Sequence, residues 1–142
     1  MRRAWYRDFY RFKESDGIML EFWVPTGSRK RPPARPVRVL RVRGGRMSAP
    51  SAGARSTWSL YSFHLTESEI LADQLDAVLQ AVAAQEQQWL RCLNAGWVAG
   101  LWVNSRSASS FGEVALEPRH IALLAKLRIN LVHRWQFEVS DQ

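Results

Sequence analysis

The chain has 142 residues, 46% of them hydrophobic, a single cysteine and a formal charge of +7. That length gives one domain able to bury a core without staples, and a lone Cys92 excludes an intrachain disulfide and a cysteine-based metal site. No apolar run is long enough to span a bilayer, and Met1-Arg2-Arg3 leads into charged residues instead of the apolar stretch of a signal peptide, so a cytoplasmic protein with no membrane association is expected.

The charge is uneven. Residues 1–57 hold 14 Arg and Lys against 4 Asp and Glu, a net of +10, whereas residues 58–142 hold 6 against 9, a net of −3. The sequence thus divides into a basic N-terminal segment, 1–57, and an α+β body, 58–142, within one domain. A segment of that sign points to a partner with an acidic surface or to nucleic acid.

Residues 5–12 (WYRDFYRF) are aromatic and charged without a clean period, and aromatics favour a strand there over a short helix. Asp16-Gly17 is a turn and residues 18–24 alternate as a strand, so the two stretches are expected to form a hairpin ended by Pro25. Residues 26–36 (TGSRKRPPARP) form a basic loop. Residues 37–43 read as a short strand broken by Gly44-Gly45, and residues 46–57 as a second loop. Residues 58–63 are a strand leading to the longest periodic stretch in the chain.

That stretch, 66–96, reads as one long amphipathic helix. Thr66 as N-cap with Glu69 three positions on makes a capping box, and Leu65 with Ile70 a hydrophobic staple. Leu71, Leu75, Val78, Leu79, Val82, Trp89 and Leu93 hold one face. Gln85 and Glu86 interrupt that face at a bend, Cys92 falls off it, and Asn94-Ala95-Gly96 ends the helix.

Residues 97–103 are a buried strand in which Gly100 leaves room for a neighbour. Residues 104–112 form a Ser-rich loop and 114–116 a short strand. Pro118 opens a second helix carrying Ile121, Leu123, Leu124 and Leu127, with Arg128 where glycine usually ends a helix. In the last strand, 129–137, Ile129, Leu131, His133, Trp135 and Phe137 face the core. The expected fold is α+β: a mainly antiparallel sheet with one long and one shorter helix packed on one face, ferredoxin-like or split βαβ.

From Trp58-Ser59-Leu60, the helix closing at Asn94-Ala95-Gly96, Leu101-Trp102-Val103, the Ser-rich loop 105–112, Leu116-Glu117-Pro118 and the terminal strand, the chain resembles the bacterial family called domain of unknown function 4279. With the Arg-rich stretch 36–44 the resemblance spans residues 36–137. It implies a small α+β domain and carries no known chemistry. Two features depart from the family pattern: residues 1–35 lack its short acidic helix, and Arg128 replaces its glycine.

Chemical signatures are few. His120 and His133 both fall on core faces and form a candidate buried polar pair, while His64 precedes the long helix. Glu67, Glu69, Asp73 and Asp76 crowd the start of the long helix, whose positive end favours them for stability alone; they read as solvated. No Walker loop, GxSxG or HExxH spacing occurs, so no catalytic residue, metal or cofactor is assigned. Gly44-Gly45 between Arg43 and Arg46 is a weak phosphate cradle. The candidate partner-binding or phosphate-binding residues are Arg29, Lys30, Arg31, Arg35, Arg38, Arg41 and Arg43. They fit a non-enzymatic interaction domain that binds a protein partner, an immunity-type toxin neutraliser being one concrete form. The alternative is a nucleic-acid-binding accessory protein, whose aromatics interleaved with basic residues serve stacking and phosphate contact.

Overall fold

A computed structural model describes residues 17–24, 40–47, 57–107 and 115–137, with the backbone alone for 105–107 and 133–137. The expected strand at 5–12 and basic loop at 26–36 lie outside these residues, as do 37–39, 48–56 and 108–114.

Alternation in GIMLEFW makes β1, Gly17–Trp23, a strand with Ile18, Leu20 and Phe22 buried on one face. Four more strands follow: β2, Arg46–Met47; β3, Trp58–Tyr61; β4, Val98–Ser107; and β5, Ile129–Phe137. They form one sheet in the order β2-β3-β1-β4-β5. The β1 strand is antiparallel to β3 on one side and β4 on the other, β2 is antiparallel to β3, and β4 and β5 are parallel. It follows that β3, β4 and β5 all run the same way. Each return requires a long crossover, and the helices supply it.

The boundary expected at residue 57 does not separate basic segment from body. Both edges of β1 are taken by body strands, from Met19 to Phe22. The Phe22 ring lies 3.9 Å from Trp89 and 5.6 Å from Trp58, centroid to centroid, and Trp58 meets Trp89 edge-on. Leu40 is buried in the same core. Charge marked residues 1–57 as peripheral, but apolar alternation over seven residues outweighs it locally, because one buried aromatic contributes about 2–3 kcal/mol.

Among the described residues three helices, not two, pack against the sheet: α1, Leu71–Ala83; α2, Glu86–Asn94; and α3, Pro118–Lys126. The long periodic stretch divides at Ala84 and Gln85, where Gln85 leaves helical geometry (φ −126°, ψ 44°). The break also turns the buried face. Trp89 and Cys92 are fully buried whereas Leu93 is only partly so, which places Cys92 in the core and not off the apolar stripe.

The helix begins at Leu71, five residues after the expected cap. Thr66 Oγ1 instead accepts the N–H of Ser68, and Ser68 Oγ accepts that of Ile70 while donating to Asp73. Such local hydroxyl-to-backbone bonds compete with helix, and they hold residues 66–70 out of it. Ile70, the intended staple, is 63% exposed. A buried polar chain anchors the helix start: Ile18 N–H donates to Ser62 Oγ, Ser62 donates to Gln74 Oε1, and Gln74 Nε2 donates to Ser68 O.

Several smaller expectations also resolve. Residues 40–43 and 115–116 are not strands, β2 occupies part of the second loop, and β4 runs on to Ser107 through the start of the Ser-rich loop. Gly100 does make room: a Cβ there would lie 2.7 Å from Cζ3 of Trp23. In β5, Ile129 is buried, but Leu131 is 44% exposed because the strand forms the sheet's edge. Arg128 takes φ +50°, the left-handed conformation expected at a helix exit, and its guanidinium donates to Asn94 Oδ1 at 2.9 Å. The exit is braced from α2, where Trp89 Nε1 donates to Leu127 O at 2.7 Å.

Candidate functional site

Two polar constellations stand out among the described residues. The first joins α1 to α3. Pro118 at the first helical position and Glu117 before it set the entry of α3, and His120 follows one turn in. Glu117 N–H donates to His120 Nδ1 at 3.1 Å. A backbone N–H can only donate, so Nδ1 is the acceptor and the ring proton sits on Nε2. That nitrogen faces Asp76 Oδ1 at 2.7 Å. Arg119 Nη2 donates to the other Asp76 oxygen at 2.9 Å and its Nε reaches Glu117 at 3.0 Å. Arg119 Nε also lies 3.4 Å from His120 Nε2, but with a proton on each the approach is packing, not a bond.

The His120 ring is fully buried and Asp76 is 35% exposed. Asp76 is therefore not a purely solvated helix-start carboxylate, unlike Glu67, Glu69 and Asp73, which are exposed. While both bonds stand, the imidazole offers no lone pair for proton abstraction or metal ligation. Its chemistry is that of a clamp: one ring caps α3 and ties it to α1. His133, the other member of the expected pair, has its side chain outside the described residues. The backbone places His133 opposite Val103 in the β4–β5 pair.

The second constellation lies at the break between α1 and α2. Arg41 N–H donates to Gln85 Oε1 at 2.7 Å and Gln85 Nε2 donates to Arg41 O at 2.8 Å. The amide side chain thus meets the backbone of residue 41 much as a neighbouring strand would. Leu40 is buried and Val42 packs on the core, while Arg41 and Arg43 are exposed. Gly45 N–H then donates to Val42 O at 3.1 Å, closing a turn in which Gly44 has φ +85°. That is the third residue of a type II turn, which requires positive φ. A Cβ on Gly44 would fall 2.7 Å from His64 Cβ, and one on Gly45 2.6 Å from Trp58. The glycine pair therefore serves a tight turn pressed onto the core, which accounts for it without a phosphate. Arg29, Lys30, Arg31, Arg35 and Arg38 lie outside the described residues.

Burial pushes the Cys92 thiol up to about 11, with Arg91 drawing it partly back. Such a thiol is protonated and unreactive at neutral pH. No three His, Cys, Asp or Glu side chains gather to hold a metal ion among the described residues, and no described helix is long and apolar enough to cross a membrane. No family model, curated protein or solved structure matches the chain.

Sequence reasoning missed Asp76, Arg119 and Gln85 as site residues. Asp76 and His120 are 44 positions apart, as are Arg41 and Gln85, and no local spacing encodes either pair. A signal did exist for His120: Glu117-Pro118 with a hydrogen-bonding side chain at the third helical position is a capping pattern.

Proposed function

We propose that this chain is a non-enzymatic interaction domain that binds a protein partner bearing an acidic surface, with immunity-type neutralisation one concrete form. The observation that carries the reading is the docking of Arg41 on Gln85, which fixes the backbone of a basic turn while Arg41 and Arg43 project outward. Fixed positive charge speeds association with an acidic surface and orients it. The occupied ring of His120 supports the same reading, since the one histidine–carboxylate pair among the described residues is committed to the fold.

The fold reading that fits best is split βαβ in preference to ferredoxin-like. Its support is that β3 and β4 flank β1 and are joined by helices, while β4 and β5 are parallel. Kinship with the family of domain of unknown function 4279 belongs to this proposal, resting on the order of elements from Trp58 onward.

The test is affinity capture at low salt on the intact chain and on an Arg41→Ala/Arg43→Ala variant, with and without nuclease. The proposal expects acidic proteins retained by the wild type, released by salt, lost from the variant and indifferent to nuclease. Retention abolished by nuclease would favour the nucleic-acid alternative, and equal retention by the variant would contradict a role for this turn.

A further inference from the structure

We infer that the His120 clamp is an acid-sensitive latch: a proton on the buried ring releases the backbone at the entry of α3, while α3 stays tied to α1 through Asp76. The inference does not depend on an acidic partner.

The two ring nitrogens serve different contacts. Nδ1 accepts the Glu117 N–H at 3.1 Å, and Nε2 donates to Asp76 Oδ1 at 2.7 Å. An imidazolium carries a proton on each nitrogen and accepts from nothing. Protonation therefore turns Nδ1 from acceptor into donor, and two N–H groups then face each other where one bond stood. The Asp76 bond survives and strengthens, because its donor becomes charged. Acid thus acts on the two contacts in opposite directions.

The surrounding charges favour uptake of that proton. On α1, Asp76 faces Nε2; on α3, Arg119 lies 3.4 Å from Nε2 and pairs with both Asp76 and Glu117. Two carboxylates against one guanidinium leave one negative charge in excess beside a neutral ring, and a proton balances it. Asp73, one turn before Asp76, is exposed and bonded to Ser68 instead. Lys126 at the far end of α3 pairs with Glu86 of α2. The β5 strand also packs on α3, and its described side chains, Ile129–Val132, include no titratable group. Burial of the ring and the positive end of α3 oppose the charge. Histidine is the side chain whose charge changes between about pH 5 and 8, so mild acid suffices to draw the latch.

The consequence is local. Glu117 N–H is one of the donors that a helix start leaves without an intrahelical partner, and Pro118 after it has no N–H to share the load. Losing the ring as acceptor frees the turn that carries Glu117 and Arg119, the two exposed charges at the mouth of the clamp.

The test is an NMR titration of the intact chain from about pH 8 to about pH 5, following the His120 ring protons and the protection of Glu117 N–H against exchange. In the wild type, protection is expected to fall about tenfold or more as the ring titrates, the equivalent of one lost hydrogen bond. His120→Gln keeps an acceptor for Glu117 and a donor for Asp76 but takes up no proton, so its Glu117 N–H should stay protected throughout. Asp76→Asn removes the charge that invites the proton, and should move the ring titration and the loss of protection together to lower pH. A ring that stays neutral down to about pH 5, or one that titrates while Glu117 N–H keeps its protection, overturns the inference. So does an equal loss in His120→Gln, which would assign the acid response to another group. Simultaneous loss of protection in the amides of β1 would mean global unfolding and overturns a local latch as well.

Discussion

Asp76 and His120 meet at 2.7 Å across 44 residues of sequence, and the ring's other nitrogen accepts the N–H of Glu117. One fully buried side chain thereby completes a helix entry and fastens it to a second helix. His120→Ala should destabilise the fold by about 2–3 kcal/mol, combining a lost cap with an unfilled buried site. His120→Gln should cost under about 1 kcal/mol, since Oε1 can accept from Glu117 and Nε2 can donate to Asp76. Urea unfolding of the two variants checks this. Equal losses would mean that volume, not the paired bonds, is what the site needs.

Cys92 provides a pH prediction. Its thiol ionises at about 11 in the fold against the ordinary 9.0. Between those values the unfolded chain releases a proton that the folded chain retains, so stability falls as pH rises from about 9 to 11. The full loss is on the order of 2–3 kcal/mol. Cys92→Ala should flatten that segment of the stability curve relative to wild type. At pH 8 the native thiol should resist a disulfide reagent that labels it quickly in denaturant.

Phe22 tests the place of the first third of the chain. Its ring packs on Trp89 and Trp58 from the central strand, and Phe22→Ala should cost about 3–5 kcal/mol. A chain beginning at residue 58 should fail to give a cooperative thermal transition, because it leaves β3 and β4 without the strand between them. A stable fragment would restore the boundary at residue 57.

Arg128 occupies left-handed backbone at φ +50°, a conformation that disfavours a side chain by about 1 kcal/mol. Arg128→Gly relieves it and forfeits only an exposed bond to Asn94. The expected net gain is a few tenths to about 1 kcal/mol, read as a raised Tm.

The fold was legible where a physical signal is local. Alternation located β1 and the buried part of β4, Pro118 located α3, and Arg128 announced an unusual exit. What misled was also local: Thr66 and Glu69 spell a capping box, yet Thr66 and Ser68 bind nearby backbone and delay the helix. The break at Gln85 showed as two polar residues in an apolar stripe, but the bond that Gln85 makes there to Arg41 is long-range. Net charge located a basic segment and said nothing of the hydrophobic strand within it. The His120 clamp and the Arg41–Gln85 dock each join residues whose proximity is set by tertiary packing, which is why neither partner could be read beforehand.

Native-state hydrogen exchange at the Arg41 amide is the most direct measurement, because the rigid basic turn depends on the bond from that amide to Gln85. The account predicts strong protection of Arg41 N–H in the wild type and its loss in Gln85→Ala, with the amides of β1 still protected. Exchange of Arg41 at the rate of an unstructured peptide in the wild type would contradict it.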